Sequence, residues 1–408
     1  MMVPKLRFTS FKDKWSSDYL KTLIVSLDAG VSVNSIDELP NENEYSILKT
    51  SCVSFGYFDE KERKKVIVEE EISRLKEMLV SNSILISRMN TPSLVGANAY
   101  IKDAPKKTFV PDRLWQVKIN ENICNIRWLS SFLSSGKGRA LLREQASGTS
   151  NSMKNITKGD VLQIEITYPR KEEQTKIADF LSSVDEKITL LNKQYDLLCQ
   201  YKKGIMQKIF SQELRFKDEN GEEFPEWYEY SLFEMGEVIT GKTPSTSVSD
   251  NWNGDILFVT PTDMDDSIKY LSSTERKVTL KGAKRVLPKG TIMFTCIASI
   301  GKMALSTLPC ITNQQINSVI VNEQHDNEFF YYKLQYIRPK VIASQANTTV
   351  PIVNKRDFSA ICFFIPSLKE QTKIASFLSA IDDKIAAKKT ELDKLKIWKQ
   401  GLLQQMFV

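Results

Sequence analysis

The chain has 408 residues, 41% of them hydrophobic and 26% charged, with a formal net charge of +6 at pH 7. That is too long for one ordinary domain and too apolar for a disordered chain, so two globular domains are expected. The mild basic excess suits a polyanion partner without requiring one.

Smaller signals narrow the class. Six cysteines are scattered without a Cys-x-x-Cys pair, which argues against a zinc ribbon or a disulfide framework and favours a reducing cytoplasm. No apolar signal region follows Met1, and the longest apolar run, Thr291 to Ile300, is too short to span a membrane. The one histidine, His325, lies among polar residues and reads as an exposed loop residue rather than a catalytic base.

In chain order, residues 1–168 read as a mixed α and β domain. Leu6-Arg7-Phe8 and Trp15 with Leu20 come first, then strand runs at Ile84-Leu85-Ile86 and Val117–Ile119 and a helical pattern from Arg127 to Glu144. Gln145-Ala146 and Lys158-Gly159-Asp160 follow, and Leu162, Ile164 and Ile166 alternate as a strand toward Pro169. Residues 169–210 read as helix. A short helix puts Ile177, Phe180 and Leu181 on one face, and Asp185 can cap a second helix of about 25 residues. Val184, Ile188, Leu191, Tyr195, Leu198, Ile205 and Ile209 form its heptad seam, interrupted by Lys202.

Residues 211–365 form the second mixed domain. Leu214-Arg215-Phe216, and Trp227 with Leu232, repeat the opening of the first. Strand runs lie at Ile256–Val259, Thr291–Thr295 and Ile316–Val321, with a helix from Glu328 to Ser344. Gln345-Ala346, Lys355-Arg356-Asp357 and the alternating Phe358, Ile361 and Phe363 repeat the exit. Residues 366–408 are helical again, with Asp382 as cap, a seam at Ile381, Ile385, Leu392, Leu395, Leu402 and Met406, and Lys399 at the place of Lys202.

The two helical segments are copies. Pro169–Phe210 and Pro366–Phe407 align without a gap at a constant offset of 197, with 19 identities over 42 positions. A long helix with one apolar stripe needs a partner, and the shared register points to pairing between the copies; they could pair either way, and the antiparallel arrangement, which would place a domain at each end, is the one expected. The alternative is that each helix packs on its own neighbouring domain. Because Val408 ends where the first copy continues toward Leu214, and the chain starts just before Leu6, the repeat is cyclic and the termini are expected to lie close together. The expected fold class is therefore α+β: two globular mixed α/β domains separated by two long helices that form an antiparallel coiled coil, in a pseudo-two-fold cyclic repeat.

This organisation resembles the specificity (S) subunit of type I restriction-modification systems. Pro-x-x-x-Glu-Gln-x-x-Ile-Ala-x-Phe-Leu at Pro169–Leu181 and Pro366–Leu378 looks like the family's entry to its conserved helices. Gly241-Lys242-Thr243-Pro244, Thr312-Asn313-Gln314 and Gly290 with Thr291-Ile292 look like landmarks of a target recognition domain; the first domain lacks the first two. The resemblance implies that each globular domain reads one half of a split duplex DNA target, and that the helices set the spacing and dock other subunits. Those partners would be two methyltransferase (M) subunits using S-adenosylmethionine and restriction (R) subunits using ATP and magnesium. This chain itself would be non-catalytic and would hold no cofactor or metal. Gln174, Ile177, Phe180 and Leu181, with Gln371, Ile374, Phe377 and Leu378, are the residues it implies for the spacer helices and docking.

Polar and basic residues between apolar strands are the candidate DNA readers. They are Arg88, Asn90, Lys106, Lys107 and Arg113 in the first domain, and Lys242, Thr243, Ser299, Lys302, Asn313, Gln314 and Gln315 in the second. Arginine matches guanine, and asparagine or glutamine matches adenine, through paired hydrogen bonds in the major groove. The helix lysines Lys384, Lys388, Lys389, Lys394 and Lys396 read instead as a solvated or partner-facing surface. Gly236–Thr243 fits the pattern G-x-x-x-x-G-K-T of a nucleotide-binding P-loop, but Pro244 and Ser245-Thr246-Ser247 oppose the helix that must follow. Pro111-Asp112 with Gln116-Val117-Lys118 only faintly matches a nuclease motif, and no methyltransferase motif is present. A two-domain NTPase and a coiled-coil scaffold without a nucleic-acid role remain as alternatives.

Overall fold

The computed structural model describes residues 4–148, 152–343 and 352–407. Gln345-Ala346, the second copy of the Gln-Ala pair, lies outside them. The chain forms two compact units, residues 1–193 with 390–408 and residues 194–389. The division falls inside both long helices, so each unit is one globular domain with a piece of each helix, rather than one of the four segments read from the sequence.

In the first unit a four-stranded antiparallel sheet has the order Ile24–Asp28, Leu114–Ile119, Ser83–Ser87, Asn98–Ile101. Its strands are rich in Ile, Leu and Val, and one of the two inner ones, Ser83–Ser87, is buried along its whole length. A smaller sheet places Ser46–Leu48 between Thr108–Phe109, parallel, and Arg63–Lys65, antiparallel. A ribbon of Ser16–Tyr19 on Glu165–Tyr168 closes the domain. Helix Ile126–Ser134 is capped by Asn125, whose side chain accepts from the Arg127 and Trp128 amides. The helix expected from Arg127 to Glu144 is two helices, since Ser135 ends the first and caps the second, Gly136–Glu144.

The second unit repeats this plan. Gly236–Thr240, Ile316–Val321, Ile292–Thr295, Met303–Ser306 and Tyr270–Leu271 make the main sheet in that order. Trp252–Val259 is the centre of the smaller sheet, parallel to Cys310–Thr312 and antiparallel to Arg276–Val278. Tyr228–Ser231 on Cys362–Ile365 is the ribbon. In both units the run before the proline differs from the strand expected. Lys158–Leu162 and Lys355–Ser359 are short helices, because Thr157 and Asn354 cap them by accepting from the amides of Asp160 and Asp357. Leu162 and Phe358 therefore belong to helical turns, and the strands begin later.

Lys171–Phe210 and Leu368–Met406 are each one continuous helix, so the break expected at Asp185 and Asp382 is absent. No glycine or proline interrupts there, and the apolar spacing runs on through Leu181, Val184 and Ile188. The two carboxylates serve another purpose. In the first unit Lys399 Nζ lies 2.5 Å from Asp185, and in the second Lys202 Nζ lies 2.6 Å from Asp382. The lysines that interrupt the seams thus pair with the residues expected to cap them, and the offset of 197 relates the two pairs. Tyr195 beneath Lys389 and Lys202 beside Asp382 run in opposite directions along the two helices, so their segments in the second unit are antiparallel. Every seam residue is buried or half-buried. In the first unit Leu6 N–H donates to Gln405 O at 3.0 Å, as Leu214 N–H donates to Lys208 O at 3.0 Å in the second. The cyclic repeat is thereby closed at the termini.

One core residue breaks the parallel. Lys333, seven residues after Asp326, is only 4% exposed and has neither a hydrogen-bond nor an ion-pair partner among the described residues. Its ammonium sits among rings, 4.9 Å from the centroid of Phe210 and 5.3 Å from that of Trp227. The same step after Asn125 in the first unit gives Phe132, packed against Phe407. Burial, with a smaller contribution from Lys340, pushes the Lys333 pKa down to about 8 from 10.5. Between these values the unfolded chain binds more protons than the folded one, so stability rises with pH; below about 8 the cost of the buried charge is constant. Lys333→Met should therefore stabilise the second unit at pH 7 by up to roughly 3 kcal/mol, and the gain should shrink as pH rises toward 10. Urea unfolding of both proteins at pH 7 and pH 10 checks this; a gain independent of pH would mean that Lys333 is not buried as an ammonium.

Candidate nucleic-acid interface

Four segments meet at one end of the second unit's sheets. Gly241 N–H donates to Ile316 O at 3.1 Å, Asn313 N–H to Val259 O at 3.1 Å, and Cys296 N–H to Gln315 O at 2.7 Å. Thr243 Oγ1 donates to Gln314 Oε1 at 2.8 Å. A Cβ on Gly241 would lie 2.3 Å from the carbonyl oxygens of Thr312 and Asn313, so only glycine lets the two loops close on each other. Lys302 Nζ donates to Pro261 O at 2.9 Å and ties in the turn that carries Ser299.

All seven residues chosen in the second domain are thus brought together, but they are not equivalent. Lys242, Ser299 and Gln314 are exposed. Asn313 is 8% exposed; its amide donates to Gln315 Oε1 at 3.0 Å and accepts from the Gln315 amide at 3.1 Å, so it braces the loop. Lys302 and Thr243 are likewise engaged internally.

The first unit has the same tip in other residues. Arg88 N–H donates to Arg113 O at 3.0 Å and Ile156 N–H to Arg88 O at 2.9 Å, as Cys296 bonds Gln315 and Val353 bonds Cys296 in the second unit. Arg88 lies 5.9 Å from the Trp115 ring, and the Asn90 amide donates to Ser87 Oγ at 3.2 Å. Arg88, Asn90 and Arg113 are therefore gathered at this tip. Lys106 and Lys107 sit apart, on the turn before Thr108–Phe109: Lys106 pairs with Glu42 at 2.7 Å and Lys107 donates to Asn43 O at 3.0 Å. Three basic residues escaped the sequence reading. Lys281, Lys284 and Arg285 line a cleft beside Gly241–Ser245; the signal was the run Arg276–Lys289, with six cations and no carboxylate.

The decoys fall on geometry. Gly236–Thr240 is a strand, and beyond Thr243 the chain reaches only a three-residue turn, Ser249–Asn251, where a P-loop needs a helix N-terminus. Gln116-Val117-Lys118 lies in the strand Leu114–Ile119. His325 is not an exposed loop residue. It is half-buried against Tyr230 and Phe330, its Nδ1 lies 3.2 Å from Gln371 Nε2, and burial lowers its pKa. No group of three or more potential metal ligands occurs among the described residues, and none of their helices is long and apolar enough to cross a membrane.

The helix residues have a different position from the one expected. Glu173, Gln174, Ile177 and Leu181, like Glu370, Gln371, Ile374 and Leu378, are buried within their own units. Arg7 grips Glu173 through two bonds of 2.7 and 2.8 Å, and Arg215 grips Glu370 through bonds of 3.2 and 2.7 Å. Gln174 accepts from the Asn125 amide at 2.8 Å and donates to Pro169 O; Gln371 accepts from the Asp326 amide at 2.9 Å and donates to Pro366 O. Phe180 packs on Phe8 and Trp398, and Phe377 on Phe216. These side chains join each domain to its helix, so burial removes Gln174, Ile177, Leu181, Gln371, Ile374 and Leu378 from any surface another subunit could touch.

A family model described as the type I restriction modification DNA specificity domain matches residues 32–199 and again 225–396. The chain belongs to this family. Its members are recognition subunits rather than enzymes. The MjaIX specificity subunit of Methanocaldococcus jannaschii is 32% identical over 207 residues, 49% of this chain and 48% of that one, so the match spans about half the length of that relative. The HindI specificity subunit of Haemophilus influenzae is 24% identical over 74% of this chain and 80% of its own. The S subunit from M. genitalium superposes over 100% of this chain and 99% of its own, with a TM-score of 0.61 at 18% identity, and shows the shared fold.

Within this specificity chain the two domain-to-helix joints differ in, among other bonds, the one from an indole. Trp227 Nε1 donates to Glu370 Oε2 at 3.1 Å, whereas Trp15 Nε1 has no partner among the described residues. Glu370→Gln leaves Arg215 without its counter-charge and disturbs the Trp227 bond. It should cost about 2–3 kcal/mol. Glu173→Gln should cost less. Denaturant unfolding of the two variants compares them directly; equal losses would show that the indole bond contributes nothing.

Proposed function

We propose that this specificity chain reads a two-part duplex DNA target, one part with each domain, on behalf of modification subunits that carry the chemistry. The observation that supports this most is the repeated tip. The backbone bonds at Arg88–Arg113 and Cys296–Gln315 are equivalent, yet one tip presents Arg88 and Arg113 and the other Lys242, Ser299 and Gln314. A constant frame with different side chains at its end suits base-edge readout, in which the donor and acceptor pattern decides the sequence. A pure scaffold has no use for such a tip.

The partners would be two methyltransferase subunits holding S-adenosylmethionine and, through them, restriction subunits holding ATP and magnesium, all acting on cytoplasmic DNA. The helix that recurs at an offset of 197 is what supports two copies. The docking surface would lie on the outer faces of the helices, where Leu197 and Tyr201 on the first, and Ile397 and Trp398 on the second, are exposed.

Exchanging residues 211–365 for the matching domain of a related chain should change only one half of the methylated sequence, provided the incoming domain keeps an arginine at the place of Arg215. Sequencing of methylated genomic DNA reads the outcome. A change in both halves would mean that the domains do not read independently.

A further inference from the structure

The cleft beside Gly241–Ser245 in the second unit has a volume of about 420 Å³ and is lined by Lys242, Lys281, Lys284 and Arg285 without any carboxylate in its wall. Two of these cations have partners at the rim: Lys281 lies 2.9 Å from Asp250, and Arg285 pairs with Glu237. Lys242 and Lys284 have no carboxylate partner among the described residues. The floor is apolar, formed by Ile239, Leu287 and Ile311. Gly282 lets the basic loop lie against Asn251, since a Cβ there would meet Asn251 O at 2.4 Å. Like charges gathered on one wall repel unless an anion sits between them.

The first unit builds a cleft of about 500 Å³ between its small sheet and the loop after its first main strand, and lines it differently. Lys49, Lys64 and Arg113 are balanced there by Asp37 and Asp112, and Lys49 lies 2.6 Å from Asp37. After Arg63–Lys65 and three apolar residues the chain enters the helix Glu69–Arg74, whose first turn is Glu69-Glu70-Glu71, whereas every charged residue from Arg276 to Lys289 is a cation. The wall of the cleft thus holds two carboxylates in the first domain and none in the second, where two of the four cations lack a carboxylate partner among the described residues.

We propose that the second-unit cleft, through Lys242, Lys281, Lys284 and Arg285, binds backbone phosphates of DNA beside the bases read by that domain. Lys242 links the two functions, since it stands both in this cleft and at the reading tip. Lysines act on phosphates as point charges and carry no sequence information, so the cleft supplies affinity and salt dependence rather than specificity. The exposed pair of Lys281 with Asp250 is readily exchanged for a phosphate. The assignment makes the second domain the main electrostatic anchor, and it rests on the DNA-reading function proposed above.

The test uses the full chain co-expressed with its methyltransferase partner, a labelled duplex carrying the methylated genomic sequence, and a salt titration. Lys281 and Lys284 are exposed, so K281E/K284E should fold. The variant should bind about tenfold or more weakly near 0.1 M salt, and its slope of log K against log salt should fall by about 2, close to 0.9 for each phosphate no longer neutralised. The preferred sequence should stay the same. The matched reversal K49E/K64E in the first unit should change the slope by less than half as much. An unchanged slope in K281E/K284E overturns the cleft while leaving DNA reading intact. Millimolar ATP or inorganic phosphate bound by the wild type in the absence of DNA, and not by K281E/K284E, overturns it in favour of a small-anion pocket. A wild-type complex that prefers no duplex overturns both the cleft and the reading function.

Discussion

Each domain is held to its helix by one buried carboxylate and the amide beside it. Glu173 with Gln174, and Glu370 with Gln371, lie at the start of a long helix, almost without solvent. A carboxylate so placed must be paired, and Arg7 and Arg215 reach it from the segment that opens each domain. A buried amide must also satisfy both ends, and the glutamines do so with the proline carbonyl behind them and the amide at the start of the domain's main helix. One dipeptide therefore fixes the entry of the chain, the exit from the ribbon and the start of the main helix. None of these groups can be lost alone without leaving another unsatisfied, so the joint stays the same while the rest of the domain diverges.

That constraint separates two kinds of residue. At the joint, polar atoms are consumed inside the protein, and at the tip some are left over. The tip backbone is nevertheless as fixed as the joint, because Arg88 bonds Arg113 and Cys296 bonds Gln315 in the same ladder. Side chains placed on it can change without disturbing the sheet beneath, since Ser83–Ser87 and Ile292–Thr295 are buried whatever the tip carries. Variation is tolerated where the frame ends.

Much of this was legible in the sequence, and the exceptions have physical causes. The repeat, the seams, the main strands and the cyclic closure follow from periodicity and from the offset of 197. The matching Leu-Arg-Phe and Glu-Gln segments were visible as repeats, but their pairing was not, because Arg7 and Glu173 are 166 residues apart and meet only in the fold. The same distance hid the true role of the helix motif: residues that recur so closely suggest a surface for a common partner, and here the common partner is the protein's own domain. Asp185 and Asp382 looked like caps because local preference favours aspartate there, yet a lysine on the antiparallel helix outweighs that preference. Thr157 and Asn354 are caps, and they were hidden by the alternating apolar residues that follow them. At the site, the Gly-Lys-Thr and Thr-Asn-Gln segments could be singled out one by one. Their contact could not be, since nothing local says that Gly241 rests on Asn313.

The bonds of Asn313 show how the tip is braced from within. Asn313 is 8% exposed and bonds Gln315 both as donor and as acceptor, so its first use is internal. What it does is hold the backbone from Asn313 to Gln315 in one shape, with Gln314 outside. Thr243 then bonds Gln314 Oε1 and leaves the amide nitrogen of Gln314 as a free donor. A side chain fixed before binding loses less freedom when it binds, and less of the contact energy is then spent on ordering it. The internally satisfied residues of the tip thus hold the unsatisfied ones in place, as the proposed base readout would need. A single exposed glutamine on a loose loop would meet many acceptors equally well, and the same glutamine braced from both sides meets those in one direction.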